Sequence, residues 1–170
     1  MKINVWSYKD EYKIIRKKIL KEVDKVFSSG RLILGEHVKS LESNFSKYLK
    51  LKYGIGVNSG TDAIQIALMS AKIGKGDEVI TVPNTAVPTV SAIVSCGAKP
   101  VFVDVSHDDY LIDVNKMEEA INKKTKAIIP VNLYGQCADY DRILTIAKKN
   151  KLLVIEDCAQ SVGSFYNNRP

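Results

Sequence analysis

Two short segments carry side chains whose types and order suit one small ligand. The first, Gly54-Ile-Gly-Val-Asn-Ser-Gly-Thr-Asp62, runs from apolar residues into a glycine-containing turn that opens a helix. The second, Val154-Ile-Glu-Asp-Cys-Ala-Gln160, is an apolar run that ends in two adjacent acids, with Gln160 three positions after Asp157. The first turns of a helix present N–H groups with no intrahelical partner, which suits a phosphate. A carboxylate at the end of a neighbouring strand suits a protonated ring nitrogen. Each feature has an ordinary use by itself: Ser59 can cap a helix and Asp62 can favour its dipole, Asp157 is a common kind of strand-end acid, and Gln160 is polar surface. Their joint appearance points to a bound small molecule.

The elements that would position these residues can be read from apolar periodicity. Residues 11–27 have helical spacing, with Ile14, Ile15, Ile19, Val23 and Val26 on one face, and Ser28-Ser-Gly30 ends that helix. A second helix is expected over 36–49, with Val38, Leu41, Phe45, Tyr48 and Leu49 inward. Residues 53–57 read as a short strand and 60–73 as a helix with Ala63, Ile64, Ala67 and Leu68 buried. Strands are then expected at 78–83, 99–105, 125–133 and 152–156, with helices at 85–96, 114–122 and 139–150. The run Ala127-Ile-Ile-Pro-Val-Asn-Leu133 has the continuous apolar character of a buried strand, and Pro130 implies a kink or an edge position near its end. Strands alternating with helices predict an α/β layered fold with a mostly parallel sheet. In such sheets ligands sit beyond the carboxyl ends of the strands. The segments 58–61, 83–89, 132–136 and 157–160 all fall at that edge.

Composition narrows the class. The chain has 170 residues, enough for a core, with 45% hydrophobic and 26% charged residues, as in ordinary soluble proteins. No apolar run is long enough to span a bilayer, and residues 1–11 lack the apolar centre of a secretory signal. A cytoplasmic protein without a membrane partner is expected. The 25 Lys and Arg against 19 Asp and Glu give a formal charge of +6, which raises nucleic-acid binding as a hypothesis. The lysine pairs at 17–18, 123–124 and 148–149 are scattered, however, and no basic stripe with interleaved aromatics exists. Solvated helix faces explain them better. Cys96, Cys137 and Cys158 are widely spaced, with no CxxC and no Cys/His cluster, so no metal site is expected. Cys158 follows the acid pair and is a candidate nucleophile, while His37 and His107 have no evident partner.

Pyridoxal phosphate carries both a phosphate and a ring nitrogen that must stay protonated for the ring to act as an electron sink. Gly60 and Thr61 are the candidate phosphate residues: two backbone N–H groups at a helix start, a glycine that permits close approach, and the Thr61 hydroxyl. Asp157 is the candidate partner of the ring nitrogen, and Gln160 is placed for the ring's phenolic oxygen or face.

These residues lie in a longer series of motifs. They include Ser29-Gly-Arg-Leu-Ile-Leu-Gly35, Val57-Asn-Ser-Gly-Thr-Asp-Ala63, Gly74-Lys-Gly-Asp-Glu-Val-Ile80 and Gly97-Ala-Lys-Pro-Val-Phe-Val-Asp104. Thr125-Lys-Ala-Ile-Ile-Pro130, Leu133-Tyr-Gly-Gln136 and Ile155-Glu-Asp-Cys-Ala-Gln160 continue it. In this order they resemble the DegT/DnrJ/EryC1/StrS sugar aminotransferases, within fold-type I pyridoxal-phosphate enzymes, from about Ile3 to Pro170. The resemblance implies amino transfer from glutamate to a nucleotide-linked keto sugar, for polysaccharide or antibiotic-sugar assembly, by a homodimer with active sites at the subunit interface. It assigns the phosphate to Gly60 and Thr61, the pyridine nitrogen to Asp157 and the phenolic side to Gln160.

Two departures accompany it. The family places an aromatic residue on the cofactor ring where this chain has Ala86. Its Schiff-base lysine lies beyond the Glu-Asp-x-Ala-Gln motif, past Pro170, and no lysine of this chain matches it. Residues 1–170 are thus expected to supply an N-terminal segment and part of the cofactor-binding large domain, without the rest of that domain or the C-terminal small domain, and to be inactive alone. A sugar dehydratase, with histidine in the lysine's place, and a non-catalytic piece that only dimerises or binds ligand are the alternatives.

Overall fold

The computed structural model describes residues 7–170, which divide into two compact units, 7–56 and 57–170. The first unit contains α1 (Tyr8–Ser28) and α2 (Glu36–Tyr48). Gly30, with φ +66°, provides the left-handed turn after α1. No residue of either helix is buried: Ile14 is 81% exposed and Leu41 61%, while Ile15, Ile19, Val26, Val38 and Leu49 are half-buried, so the expected inward faces are only partly covered. Two helices are too small to enclose a core. His37, expected without a partner, faces Glu22 with Nε2 3.4 Å from Oε2. Residues 53–57 form no strand, which corrects the sequence expectation. Gly54 is instead pressed on α2, where a Cβ would meet the Glu42 carbonyl oxygen at 2.5 Å, and the Gly56 N–H donates to Glu42 Oε1 at 2.8 Å.

The second unit has the order α3 (Gly60–Ser70), β1 (Glu78–Thr81), α4 (Val87–Ser95), β2 (Lys99–Phe102), α5 (Val114–Glu119), β3 (Thr125–Ile128), α6 (Tyr140–Asn150) and β4 (Leu153–Val154). The four strands form one sheet, β2-β1-β3-β4, with every pair parallel. Side chains alternate across a strand, so successive residues feed opposite faces. Val79, Ala127 and Ile129 join Ile64, Leu68, Ala92 and Ile93 of α3 and α4 in one core. Ile80, Val82 and Ile128 join Val114, Met117, Ile143 and Ala147 of α5 and α6 in the other. A sheet covered on both faces explains why these strands read as continuous apolar runs. β3 is interior, not an edge; Pro130 lies just past its last residue, where its missing N–H costs no ladder bond.

This topology sets the site. The chain leaves β1 toward β2 on one side and leaves β3 toward β4 on the other, so the carboxyl ends of β1 and β3 form a switch point. α3 leads through Gly74–Asp77 into the start of β1, which puts its N-terminus back at the carboxyl edge. The ends of α3 and α4 confirm the direction: a Cβ at Gly74 would lie 3.1 Å from the Cys96 carbonyl oxygen, and one at Gly97 would lie 3.5 Å from the Lys75 nitrogen.

Candidate functional site

At the start of α3, Ser59 is extended (φ −157°, ψ 167°) and its Oγ accepts from the Asp62 N–H at 3.1 Å. Its carbonyl accepts from the Ala63 N–H at 3.0 Å. The cap therefore satisfies the third and fourth N–H groups of the helix, and those of Gly60 and Thr61 take no partner among the described residues. Apart from its chain neighbours and the backbone of its own helix, nothing lies within 4 Å of a Cβ built on Gly60, so the helix start is open on that side.

Asp157 extends β4 at the same edge. Its N–H donates to the Pro130 carbonyl and its carbonyl accepts from the Asn132 N–H, each at 3.0 Å, in a parallel bridge with Val131. The carboxylate is gripped on both oxygens: Oδ2 accepts from the Thr89 hydroxyl at 2.7 Å and Oδ1 from the Ala159 N–H at 3.3 Å. Thr89 sits in the first turn of α4, directly after β1, and is buried. Three outgoing loops of the sheet thus meet at Asp157. Sequence reasoning placed the 83–89 segment at this edge but missed Thr89 as a partner; only its position early in a helix after β1 could have signalled it.

Gln160, one turn on, accepts from the Tyr134 N–H through Oε1 at 3.2 Å. Tyr134 closes a single 3-10 turn, Leu133–Gly135, in the left-handed region (φ 57°, ψ 25°), and Gly135 follows at φ 79°. The Ser164 hydroxyl holds the Gly135 carbonyl at 2.7 Å. Left-handed backbone at an exposed tyrosine is costly for an L-residue. The bonds from Gln160 and Ser164 support it. Below this turn, buried Asn132 accepts from the Ala138 N–H and the Tyr140 hydroxyl and donates to Cys158 Sγ at 3.4 Å.

Burial pushes the Cys158 thiol above its ordinary value, with the Glu156 and Asp157 carboxylates adding in the same direction and hydrogen bonds from Ser161 and Asn132 opposing it. A raised thiol is a poor nucleophile near neutral pH, which weighs against the nucleophile role considered for Cys158. Cys96 and Cys137 are raised by burial as well. Ala86 is the N-cap of α4 and exposed; it brings no ring to this edge.

A family model of the DegT/DnrJ/EryC1/StrS aminotransferase family matches residues 13–170. The chain belongs to that family. A dTDP-3-amino-3,4,6-trideoxy-alpha-D-glucose transaminase of Micromonospora megalomicea is 48% identical over 165 residues, which cover 97% of this chain and 44% of that protein. Among solved structures, S. venezuelae DesV superposes with a TM-score of 0.92 at 37% identity, covering 96% of this chain and 44% of that one. The pyridoxal-phosphate form of a sugar aminotransferase from Streptococcus pneumoniae superposes at a TM-score of 0.84 and 34% identity, over 89% of this chain and 42% of that one. The chain therefore spans less than half the length of these family members. Its fold is the fold-type I aminotransferase fold over that span.

Proposed function

We propose that this DegT-family chain forms the phosphate and ring-nitrogen side of a pyridoxal-phosphate site in a nucleotide-sugar aminotransferase. The observation that carries it is a carboxylate fixed at the sheet's carboxyl edge, Asp157, on the same edge as the open N–H groups of Gly60 and Thr61. The residues fit the cofactor's chemistry: free donors and open volume for a dianion, an oriented acceptor for an N–H, and an amide for a phenolic oxygen.

Gly60 and Thr61 would bind the phosphate through backbone N–H groups, strengthened by the helix dipole, and the Thr61 hydroxyl would add a donor. Asp157 would hold a proton on the ring nitrogen, since an adjacent carboxylate favours the charged form. Gln160 spends Oε1 on Tyr134, so its Nε2 would donate to the phenolic oxygen. When bound, pyridoxal phosphate supplies an electron sink for labile bonds at an amino-bearing carbon. No described lysine is assigned to bond to it.

The substrates we infer are glutamate as amino donor and a nucleotide-linked keto sugar as acceptor, the latter by analogy with the dTDP-sugar named for the Micromonospora relative. A homodimer is supported by the exposed apolar residues of the first unit, among them Ile14, Phe27 and Ile33. A cytoplasmic setting accords with three free thiols; no helix among the described residues is long and apolar enough to cross a membrane. The test is to titrate the protein with pyridoxal phosphate by equilibrium dialysis, with Asp157→Ala and Thr61→Ala alongside. Saturable binding weakened by both substitutions supports the site, and equal retention by all three overturns it. Formation of 2-oxoglutarate from glutamate and a dTDP keto sugar then reads the reaction.

A further inference from the structure

The hydroxyls of Thr85 and Thr89 lie 2.8 Å apart, and that of Thr89 lies 2.7 Å from Asp157 Oδ2. Each threonine has one hydrogen to donate, and an ionised carboxylate only accepts. When Asp157 is ionised, Thr89 must give its hydrogen to Oδ2. It must then accept from Thr85, so the chain has one direction: Thr85 to Thr89 to Asp157. Such a chain is cooperative, each donor being polarised by the next.

We propose that Thr89 is a positioning residue for the cofactor, backed by Thr85, and that its hydroxyl aims Asp157 at the ring nitrogen. This rests on the assignment of Asp157 made above.

The geometry favours aim over simple packing. Thr89 is 1% exposed, so its hydroxyl is committed to protein partners and not to solvent. The opposite oxygen has only the longer Ala159 bond at 3.3 Å, from the residue two positions on in the same loop. Without Thr89 the carboxylate would be held from one side, by its own loop. Thr89 comes from a different element, the start of α4, and thereby ties the β4 loop to the β1 loop across the switch point. Thr85, half-buried, lines an open groove of about 540 Å³ with Pro83, Ala86 and Phe102, so its oxygen can accept from water while it donates inward.

Two probes separate aim from folding: pyridoxal phosphate, and its 1-deaza analogue, which keeps the phosphate and phenol but has carbon in place of the ring nitrogen. Affinities are measured by equilibrium dialysis for the wild type, Asp157→Ala, Thr89→Val, Thr89→Ser and Thr85→Val. The wild type is expected to prefer pyridoxal phosphate, and Asp157→Ala to abolish the preference. Thr89→Val, isosteric but without the hydroxyl, should weaken pyridoxal phosphate about tenfold, as for loss of a bond to a charged group. It should leave the deaza analogue within about twofold. Thr89→Ser should keep most of the preference, because it restores the hydroxyl and loses only a methyl group.

A preference that survives Thr89→Val, or a Thr89→Ser as weak as Thr89→Val, overturns the inference while leaving Asp157's role intact. No preference in the wild type overturns the Asp157 assignment and the inference together. If Thr89→Val does not fold, Thr85→Val decides: a preference reduced about threefold supports the directed chain, and an unchanged one overturns it.

Discussion

The Tyr134 N–H donates to Gln160 Oε1 at 3.2 Å, and this one bond fixes which end of the Gln160 amide is free. With oxygen committed to a backbone donor, Nε2 is left without a partner among the described residues, and it can only donate. A phenolate oxygen is a matching partner.

The first prediction concerns that end. Gln160→Glu keeps an acceptor for Tyr134 but replaces the outward donor with a carboxylate, which would face an anionic oxygen. Pyridoxal-phosphate affinity should fall about tenfold or more, whereas Gln160→Ala, which removes the donor without adding charge, should lose less. Dialysis on both variants checks the order; the reverse order would show that Nε2 does not face the cofactor.

A second prediction separates binding from stability at the start of α3. The Cβ of Gly60→Val would meet nothing within 4 Å beyond its chain neighbours and the backbone of its own helix, and Gly60 is not among the positive-φ glycines. Its thermal stability should stay within about 0.5 kcal/mol of the wild type. Its branched side chain would occupy the space in front of the free N–H groups, so affinity for pyridoxal phosphate should drop by about tenfold or more. Unchanged affinity in a folded variant would place the phosphate elsewhere.

Much of this edge could be read from sequence because parallel sheets put ligands at strand ends, and the runs around Val79–Val82 and Ala127–Val131 are apolar on both faces. The segments holding Asp157, Gln160, Gly60 and Thr61 lie at the carboxyl edge that the strand pattern implied. The failures have physical causes. Residues 53–57 have a strand's composition, but Ile55 is 78% exposed and no described residue pairs with them as a strand. The apolar faces of α1 and α2 predicted burial, which periodicity implies but cannot supply without a covering surface. Thr89 was missed because its bond to Asp157 spans 68 positions and depends on how two loops meet. Gln160's orientation depends on the left-handed turn at Tyr134, for which no composition signal exists beyond the following glycine.

A third prediction concerns pH. Glu78, at the amino end of β1, accepts from Asn122 Nδ2 at 2.7 Å and from Lys99 Nζ at 3.4 Å. The Asn122 bond is the largest cause holding its carboxyl below the ordinary value; burial opposes it and Lys99 adds to it. A depressed carboxyl contributes stability above its unfolded value, about 4.3, and loses it as pH falls through the lower folded value. Asn122→Ala should therefore melt below the wild type at pH 5, with the gap narrowing toward pH 3. Calorimetry at the two pH values reads it, and a gap that widens on acidification would refute the assignment.

The last prediction lies in the first unit. Gly54 has an ordinary backbone conformation, so its requirement is space: an added Cβ would meet the Glu42 carbonyl oxygen at 2.5 Å and the Glu42 carbon atoms at 3.2 Å. Those are backbone atoms of α2, which cannot move aside as a flexible side chain could. Gly54→Ala must lift the 53–56 segment off the helix, and the Gly56 N–H bond to the Glu42 carboxylate would lengthen with it. Overpacking of this kind costs about 1–3 kcal/mol. Because the damage is local, hydrogen exchange is the sharper measurement: the Gly56 amide should lose protection while amides of β1 and β3 keep theirs. Glu42→Gln makes the complementary test, weakening the same bond from the acceptor side without the clash, so it should raise Gly56 exchange less than Gly54→Ala does. Equal exchange in both variants would mean that the hydrogen bond, and not close contact at Gly54, holds the segment on α2.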